Sequence, residues 1–286
     1  MNINEIVVIS GKGGTGKTTL TSCLVPYIES IVIADCDVDA PDLDILFNSK
    51  KEIIENFSGL DRAQLNKDKC ITCGRCYEVC KFGAITKDIE FKEIKCEGCS
   101  VCEVVCPVGA IEMVKNKTGE VYMGDSKYGR MIHAKLIPGE EASGKLVAQV
   151  RQKAKKYAKE NSIRNILVDG SPGIGCNVIS SIMGSKKVIM VCEPTYSGLH
   201  DLERVYELVS NYPIEVFIVI NKFDISLEMT EKIEEFAKNN GIKVNLKVPF
   251  DKRIVNSIVE KKIPSLKEKE LFEKIGFFQF VKEIIK

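Results

Sequence analysis

The 286-residue sequence lacks the features that would indicate a membrane span, a general affinity for polyanions or secretion. No apolar run approaches the roughly 18 residues of a membrane-spanning helix, so we expect no stable membrane insertion. Counts of 41 basic and 40 acidic residues leave a net charge of +1. That balance gives no electrostatic reason to expect binding to nucleic acid. The first nine residues resemble a strand with no basic segment before it, so the sequence predicts a cytoplasmic protein without a secretory signal.

What the sequence does contain is a series of short apolar segments that each end in polar or turn-forming residues. Such runs, separated by helical segments, are typical of parallel strands buried on both faces by helices. One predicted helix covers residues 145–160, with Ser143 as its N-cap. The sequence therefore predicts an α/β fold with a mostly parallel sheet, built on residues 4–10, 31–34, 165–168, 188–192 and 216–220.

The first of these strands leads into a glycine-rich loop with the spacing of a phosphate-binding motif. Residues 11–18 match G-x-x-x-x-G-K-[ST] between a predicted strand and a predicted helix. In such loops backbone N–H groups surround phosphate oxygens, and the following helix adds a favourable dipole. Lys17 would contact the β and γ phosphates, and the Thr18 hydroxyl would bind Mg²⁺. The predicted nucleotide-binding residues are Gly11, Lys12, Gly13, Gly14, Thr15, Gly16, Lys17, Thr18 and Thr19.

A second lysine inside the loop, Lys12, makes this motif resemble the deviant Walker A of the ParA, MinD and nitrogenase-iron-protein group of ATPases. That resemblance implies a SIMIBI-type P-loop NTPase that forms an ATP-dependent homodimer, in which Lys12 reaches the partner's nucleotide. It also implies that Asp37 lies near the attacking water and that Asp169 belongs to Walker B and coordinates Mg²⁺. Lys12, Lys17, Asp37 and Asp169 are thus the predicted catalytic residues. Four further acids lie close enough to Asp37 that an error in register stays open, but each is expected to be a solvated or capping residue: Asp35, Asp39, Asp42 and Asp44.

Two further segments resemble the base-binding side of nucleotide sites. Residues 221–224, Asn-Lys-Phe-Asp, follow a predicted strand. In GTPases the aspartate of such a segment reads guanine, so the segment alone leaves ATP and GTP open, while the rest of the resemblance favours ATP. Asn221 is the predicted base contact, with a structural turn as the alternative. Residues 249–251, Pro-Phe-Asp, bear a weaker resemblance to the family's base-side loop.

The cysteines are concentrated in one segment, because eight of the 12 lie between Cys70 and Cys106. Two runs with the spacing C-x2-C-x2-C-x3-C are offset by 26 residues, which indicates a duplicated unit. This spacing resembles a bacterial-type ferredoxin with two [4Fe–4S] clusters, in which the fourth cysteine of each run ligates the other cluster. Zinc is the competing metal. The predicted ligand sets are Cys70, Cys73, Cys76 and Cys106 for one cluster and Cys96, Cys99, Cys102 and Cys80 for the other.

The cysteine segment interrupts the α/β pattern and is therefore predicted to be an inserted small α+β ferredoxin domain. The expected division is 1–65 and 117–286 for the ATPase domain and 66–116 for the insert. The favoured function is ATP-dependent dimerisation coupled to electron transfer to an unidentified redox partner. The alternatives are an ATPase that assembles clusters or cofactors of another metalloprotein, and a positioning ATPase with structural clusters.

Three residues or segments outside these motifs are expected to be structural. Cys176 resembles, in part, a cysteine that bridges a cluster between subunits in the nitrogenase iron protein, but a packed thiol is favoured. His133 has no evident partner in the sequence. The amphipathic tail, residues 277–285, is expected to pack onto the sheet rather than bind a membrane.

Overall fold

The computed structural model describes residues 3–39, 41–140 and 144–286. The chain divides into two compact units. The larger unit comprises the described residues up to Ile54, then Val121–Lys135, and then residues 144–286. The smaller unit comprises Glu55–Glu120 and the described residues 136–140. Ser143, the predicted N-cap, lies outside the described residues.

A nine-stranded sheet runs through the part of the chain that the structure describes, in the order β11-β10-β9-β1-β8-β2-β7-β6-β3. Strand β1 lies between β8 and β9, and both neighbours run parallel to it. Parallel pairs also join β2 to β7 and β8, and β10 to β9 and β11. The predicted α/β fold with a mostly parallel sheet is confirmed. The strands are β1 Asn4–Ser10, β2 Ile31–Asp35, β3 Lys50–Ser58, β6 Lys117–Ser126, β7 Gly129–Leu136, β8 Asn165–Pro172, β9 Lys187–Cys192, β10 Glu215–Asn221 and β11 Val244–Val248.

The central strands are buried along their whole length, and most of their residues are apolar. Every residue of β1, β2 and β9 is buried, as expected for parallel strands without a solvated face. The carboxyl ends of parallel strands meet at one edge of the sheet, and this edge positions the candidate site. The helices of the larger unit are α1 Lys17–Leu24, α2 Leu43–Phe47, α5 Gly144–Glu160, α6 Cys176–Ile182, α7 Tyr196–Ser210, α8 Leu227–Asn239, α9 Lys252–Val259, α10 Pro264–Lys267, α11 Lys269–Lys274 and α12 Phe277–Ile285.

The C-terminal helix α12 packs onto the sheet, as the sequence predicts. Phe277, Phe280 and Ile284 are buried in the main core, and the Phe280 ring meets the ring of Phe217 on β10 edge-on at 6.3 Å. The Lys187 ammonium donates to the carbonyl of Ile284 near the end of the helix at 3.0 Å. Within the described ranges, none of the helices combines the length and apolar character of a membrane span.

The smaller unit is built on the cysteine repeat. It contains the helices α3 Arg75–Val79 and α4 Val101–Val104 and the antiparallel strands β4 Arg62–Leu65 and β5 Ile111–Val114. Left-handed backbone conformations recur at the 26-residue offset, in the pairs 72 and 98, 74 and 100, and 83 and 109. The duplicated sequence therefore folds into two similar loop-and-helix segments.

The boundaries of this smaller unit are wider than the predicted segment 66–116. Leu65 pairs with Ile111 across the two-stranded sheet, so the expected boundary between residues 65 and 66 falls inside the unit. On the other side, Ile137 N–H donates to the Thr118 carbonyl at 2.9 Å. These pairings join residues far apart in the sequence, and the cysteine spacing does not reveal them.

Candidate functional site

The glycine-rich loop connects β1 to α1 at the carboxyl edge of the sheet. Gly14 and Gly16 have φ angles of 81° and 90°, in the left-handed region that glycine adopts without strain. Helix α1 begins at Lys17, and no side chain caps its first turn. The N–H groups at this helix end remain available to an anion such as a phosphate.

The ammonium group of Lys17 lies between two carboxylates, one within β8 and one just after the neighbouring strand β2. Lys17 Nζ is 3.1 Å from Asp169 Oδ1 and 3.3 Å from Asp37 Oδ2. The Thr18 hydroxyl donates to Asp169 Oδ2 at 2.7 Å. The structure thus brings together four of the predicted residues: Lys17, Thr18, Asp37 and Asp169.

Burial and charge oppose each other at this cluster. Burial alone would lower the pKa of Lys17, but the charges of Asp169, Asp37 and Asp35 outweigh it, so this pKa is raised. Burial raises the pKa of Asp37 above its usual value. The ammonium therefore stays charged, while the crowded carboxylates favour an added cation.

Two buried residues of this cluster were missed in the sequence. Thr21 Oγ1 lies 2.9 Å from Asp169 Oδ1 and 3.0 Å from the Lys17 carbonyl, so its one hydroxyl proton serves two acceptors. Its position four residues after Lys17, on the same side of α1, is the signal that could have identified it.

The second missed residue is Asp35, which is fully buried rather than solvated. Its carboxylate accepts hydrogen bonds from the N–H groups of Asp37 at 3.1 Å and of Leu43, the first residue of α2, at 3.3 Å. Burial and the negative charge of Asp169 raise the pKa of Asp35 well above its usual value. The expectation of a capping acid is partly met, but the expectation of a solvated acid is wrong.

Lys12, the second lysine of the loop, makes its contact elsewhere. Its ammonium donates to Ser197 Oγ, near the start of α7, at 3.0 Å, and this hydrogen bond is exposed. Gly11 packs against Asp201 one turn later on α7, where a Cβ atom would collide with the helix. Helix α7 therefore lies directly against the first residues of the loop.

An open, mainly apolar pocket adjoins the other side of the loop. It encloses about 920 Å³ together with its mouth. Asn221 lines it and donates to the Thr15 carbonyl at 2.8 Å, so this side chain also fixes the loop. Asp224 accepts a hydrogen bond from the N–H of Phe250 at 2.6 Å. The other lining residues include Gly14, Gly16, Thr19, Leu20, Cys23, Val248, Pro249, Phe250, Asp251 and Ile254.

In the smaller unit, the eight repeated cysteines line two separate cavities. The first, the Cys70 site, encloses about 300 Å³ and is lined by Cys70, Cys73, Cys76 and Cys106. The second, the Cys96 site, encloses about 380 Å³ and is lined by Cys80, Cys96, Cys99 and Cys102. The fourth cysteine of each run thus lies in the cavity of the other run. In residues 3–39, 41–140 and 144–286, no three His, Cys, Asp or Glu side chains converge as ligands of a single metal ion.

The four remaining cysteines differ in burial. Cys23, Cys36 and Cys192 are buried, as expected for small core residues, and burial raises the pKa of Cys23 and of Cys192 to about 12. Cys176 is exposed, so the prediction of a packed thiol is wrong. It is the first residue of α6, directly after Gly175, where a short helix leaves its first side chain in solvent.

Comparison with known proteins agrees with this geometry. Residues 6–264 match the CobQ/CobB/MinD/ParA nucleotide binding domain family. An uncharacterized protein of Methanocaldococcus jannaschii is 36% identical over 287 residues, covering 96% of this chain and 98% of that protein. Among solved structures, the septum site-determining protein MinD complexed with Mg-ADP from Pyrococcus horikoshii is 14% identical, with a TM-score of 0.59 and coverage of 99% and 96%. Apo McdA from Cyanothece is 13% identical, with a TM-score of 0.61 and full coverage of both chains. These two likenesses establish the fold.

Proposed function

Because this chain belongs to the CobQ/CobB/MinD/ParA family of P-loop ATPase domains, we propose that it binds and hydrolyses Mg·ATP at residues 11–18. We further propose that the smaller unit holds two [4Fe–4S] clusters and that ATP-dependent dimerisation is coupled to electron transfer to a partner protein. The observation that carries the proposal is the presence, in one chain, of the loop cluster around Lys17 and of two cavities that are each lined by four cysteines.

Support for ATP hydrolysis comes from the charges around the loop. Lys17 would neutralise the β and γ phosphates, and the Thr18 hydroxyl, held against Asp169 at 2.7 Å, would join the Mg²⁺ coordination. Asp169 would bind the metal directly or through water, since Mg²⁺ is usually held by one or two carboxylates together with phosphate oxygens. Asp37 would orient the attacking water.

The pocket beside the loop supports the proposed nucleotide. Its apolar walls suit a stacked base, and Asn221 stands where the loop meets the pocket. One oxygen of the Asp224 carboxylate is already bonded to the N–H of Phe250, so this carboxylate is less available to read guanine. Adenine is therefore the proposed base, and Asn221 acts at least as a support of the loop.

Lys12 supports the proposed dimer. Its single hydrogen bond to Ser197 is exposed, and such a bond contributes only about 0.5–1.5 kcal/mol. The ammonium can therefore leave Ser197 at small cost and reach a nucleotide in a second copy of the chain.

The two cysteine cavities support the proposed clusters. Each ligand set surrounds a cavity rather than a point, which suits a four-iron cube better than a tetrahedral zinc ion. Backbone N–H groups also point at the sulfurs, as from Ala84 to Cys80 at 3.3 Å and from Ala110 to Cys106 at 3.2 Å. When bound, such clusters supply one-electron transfer.

Iron analysis of the anaerobically purified chain tests the cluster assignment. The intact protein should contain about eight irons per chain, as two four-iron clusters require. Cys73→Ser and Cys99→Ser each remove one ligand of a different site, so each variant should lose iron from that site only. Unchanged iron in both variants, or stoichiometric zinc in the intact chain, would refute the assignment.

Two lysine variants test the proposed roles of Lys17 in ATP binding and of Lys12 in dimerisation. Lys17→Ala should abolish ATP binding, because it removes the buried cation that faces the phosphates. Lys12→Ala should keep binding but lose the ATP-induced dimer, as measured by light scattering. Tight ATP binding by Lys17→Ala would contradict the role of Lys17 in phosphate binding. ATP-induced dimers of Lys12→Ala like those of the intact chain would contradict the role of Lys12 in dimerisation.

Cluster or cofactor assembly is the second candidate, and the exposure of Cys176 favours it. An exposed thiol is available to share a cluster with a second copy of the chain or with a client. Transfer of iron and sulfide to an apo-acceptor that is lost in Cys176→Ser would favour assembly. Retained clusters with reversible reduction would favour electron transfer, and clusters that resist reduction would favour a structural role.

A further inference from the structure

The two cysteine cavities are nearly equivalent in their linings, but they differ in charge. The offset of 26 residues relates each cysteine of one site to a cysteine of the other, and Val108, Ala110 and Ile111 of the Cys70 site correspond to Phe82, Ala84 and Ile85 of the Cys96 site. Apart from the cysteines, both cavities are therefore lined mainly by apolar residues.

The difference in charge arises at two positions in each run. Ile71 and Arg75 line the Cys70 site, while the corresponding Glu97 and Val101 line the Cys96 site. Within the described part of the chain, Arg75 is the only charged residue in the lining of its cavity, and Glu97 is the only one in the lining of the other. The duplicated unit thus carries a positive charge at one site and a negative charge at the other.

A charge at this position acts on reduction. Each one-electron reduction adds one negative charge to a site, and net charge and hydrogen bonds to sulfur are among the factors that set the potential. Arg75 stabilises that added charge at the Cys70 site, and Glu97 opposes it at the Cys96 site.

The hydrogen bonds to sulfur act in the same direction. At the Cys70 site, Thr72 N–H donates to Cys70 at 3.4 Å and Ala110 N–H to Cys106 at 3.2 Å. At the Cys96 site, Ala84 N–H donates to Cys80 at 3.3 Å, the equivalent of the Ala110 bond. Backbone N–H groups also face the buried sulfurs at both sites, from Tyr77 to Cys76 and from Glu103 to Cys102, so these donors do not distinguish the sites. The additional donor at the Cys70 site again stabilises the reduced state.

From this asymmetry we infer that Arg75 and Glu97 set the two sites apart in reduction potential, so that the Cys70 site holds an electron in preference to the Cys96 site. The inference rests on the proposed cluster binding. When a one-electron donor delivers a single electron to the chain, that electron resides at the Cys70 site while the Cys96 site stays oxidised.

The basic residues next to the two runs do not supply a comparable charge to the cavity linings. Lys69 and Lys95 precede the first cysteines of the two runs at equivalent positions, so they affect both sites alike. Arg62 contacts the Cys96 carbonyl, but its charge is paired with Glu140 at 2.7 Å. Lys81 follows Cys80 but is exposed and outside the linings. Arg75 and Glu97 are themselves exposed, so solvent screens part of their effect.

The test is an anaerobic, EPR-monitored redox titration of the full chain with dithionite as electron donor. The intact protein should titrate in two one-electron steps. Arg75→Gln should lower the potential of the upper step, and Glu97→Gln should raise that of the lower step, so either change narrows the gap. Glu90→Gln removes an exposed acid of the same unit that lines neither cavity, and both steps should stay unchanged.

The cysteine variants assign the two steps independently. Cys99→Ser should leave a single step near the upper potential, and Cys73→Ser a single step near the lower one. The inference would be overturned if both steps of the intact chain had one potential, or if the Cys96 site had the higher potential. It would also be overturned if Glu90→Gln shifted the potentials as much as Glu97→Gln does. Absence of bound iron would instead refute the proposed function, so the two failures are distinguishable.

Discussion

Three glycines of the phosphate loop differ in what a methyl group would meet, and this difference yields a prediction for Gly→Ala substitutions. Gly13 lies outside the left-handed region, and no atom lies within 4 Å of where its Cβ would stand. Gly14 has a φ of +81° but equally open space around a Cβ. Gly16 has a φ of +90°, and a Cβ there would collide with the side-chain amide of Asn221.

These local differences set the expected costs in the free energy of unfolding. Alanine in the left-handed region is disfavoured by about 1–2 kcal/mol, whereas replacing glycine stabilises by about 0.4–1 kcal/mol through the unfolded chain. Gly13→Ala should therefore be neutral or slightly stabilising, and Gly14→Ala should cost about 1 kcal/mol. Gly16→Ala must also displace Asn221 from the Thr15 carbonyl, so its cost should reach about 2 kcal/mol or more.

Native-state hydrogen exchange, without nucleotide, measures these costs in the larger unit alone. The most protected amides of β1 report the opening free energy of that unit, so unfolding of the smaller unit does not enter. The three variants should fall in the order Gly13→Ala, Gly14→Ala, Gly16→Ala, from most to least stable.

A double-mutant cycle separates the steric part from the backbone part. In an Asn221→Ala background the colliding amide is gone, so Gly16→Ala should cost no more than Gly14→Ala does in the intact chain. If Gly16→Ala keeps its full cost in that background, or if Gly13→Ala is as destabilising as Gly14→Ala, the loop geometry described above is wrong.

Three further substitutions test the interior. Thr21→Val removes a hydrogen bond to the Asp169 carboxylate, and such bonds contribute about 1.5–3 kcal/mol. The kcat for ATP hydrolysis should therefore fall about tenfold to a hundredfold. An unchanged kcat would contradict a role of Thr21 in positioning Asp169. Burial lowers the pKa of His133 to about 4, so only the unfolded chain gains this proton as the pH falls from about 6.5 to about 4. The fold then loses up to about 3 kcal/mol, and His133→Phe should remove this loss from urea unfolding curves at pH 7 and pH 4. Glu5→Gln breaks a buried bidentate pair with Arg151, at 2.6 and 2.9 Å, and should lower the free energy of unfolding by about 3–5 kcal/mol; a stability equal to that of the intact chain would refute this.

The parts of the site that lie close together in the sequence could be predicted from it. The loop spacing identifies Lys17 and Thr18, because a phosphate must be surrounded by consecutive backbone groups. The resemblance of the cysteine spacing to two-cluster ferredoxins likewise predicts which four cysteines share a cavity. The parallel sheet follows from apolar runs that helices must cover on both faces.

The missed features depend on contacts between distant residues. Thr21 and Asp169 are 148 residues apart in the sequence, and the only local signal is that Thr21 lies one turn after Lys17 on the same side of α1. Asp35 resembles other acids of its loop until the neighbouring strands bury it. The smaller unit extends beyond the cysteine runs because Leu65 pairs with Ile111, and the cysteine pattern does not contain that pairing. Cys176 is exposed because of where a short helix begins, and residue type alone does not determine that.

Both units have interiors that a bound ligand would complete. In the larger unit, one ammonium stands against three buried or half-buried carboxylates, and burial, together with the negative charge of Asp169, raises the pKa of Asp35 and of Asp37. A divalent cation with its phosphates would relieve the repulsion while leaving Lys17 charged. In the smaller unit, Cys76 and Cys102 belong to a small buried core, and Cys70, Cys80, Cys96 and Cys106 pack against it. A unit of this size buries a smaller fraction of its surface than a larger domain does, so its stability on that core alone is marginal. Under the proposed function, Mg·ATP supplies compensating charge in one unit and the clusters supply cross-links in the other, so ligand binding and folding stability are linked in both.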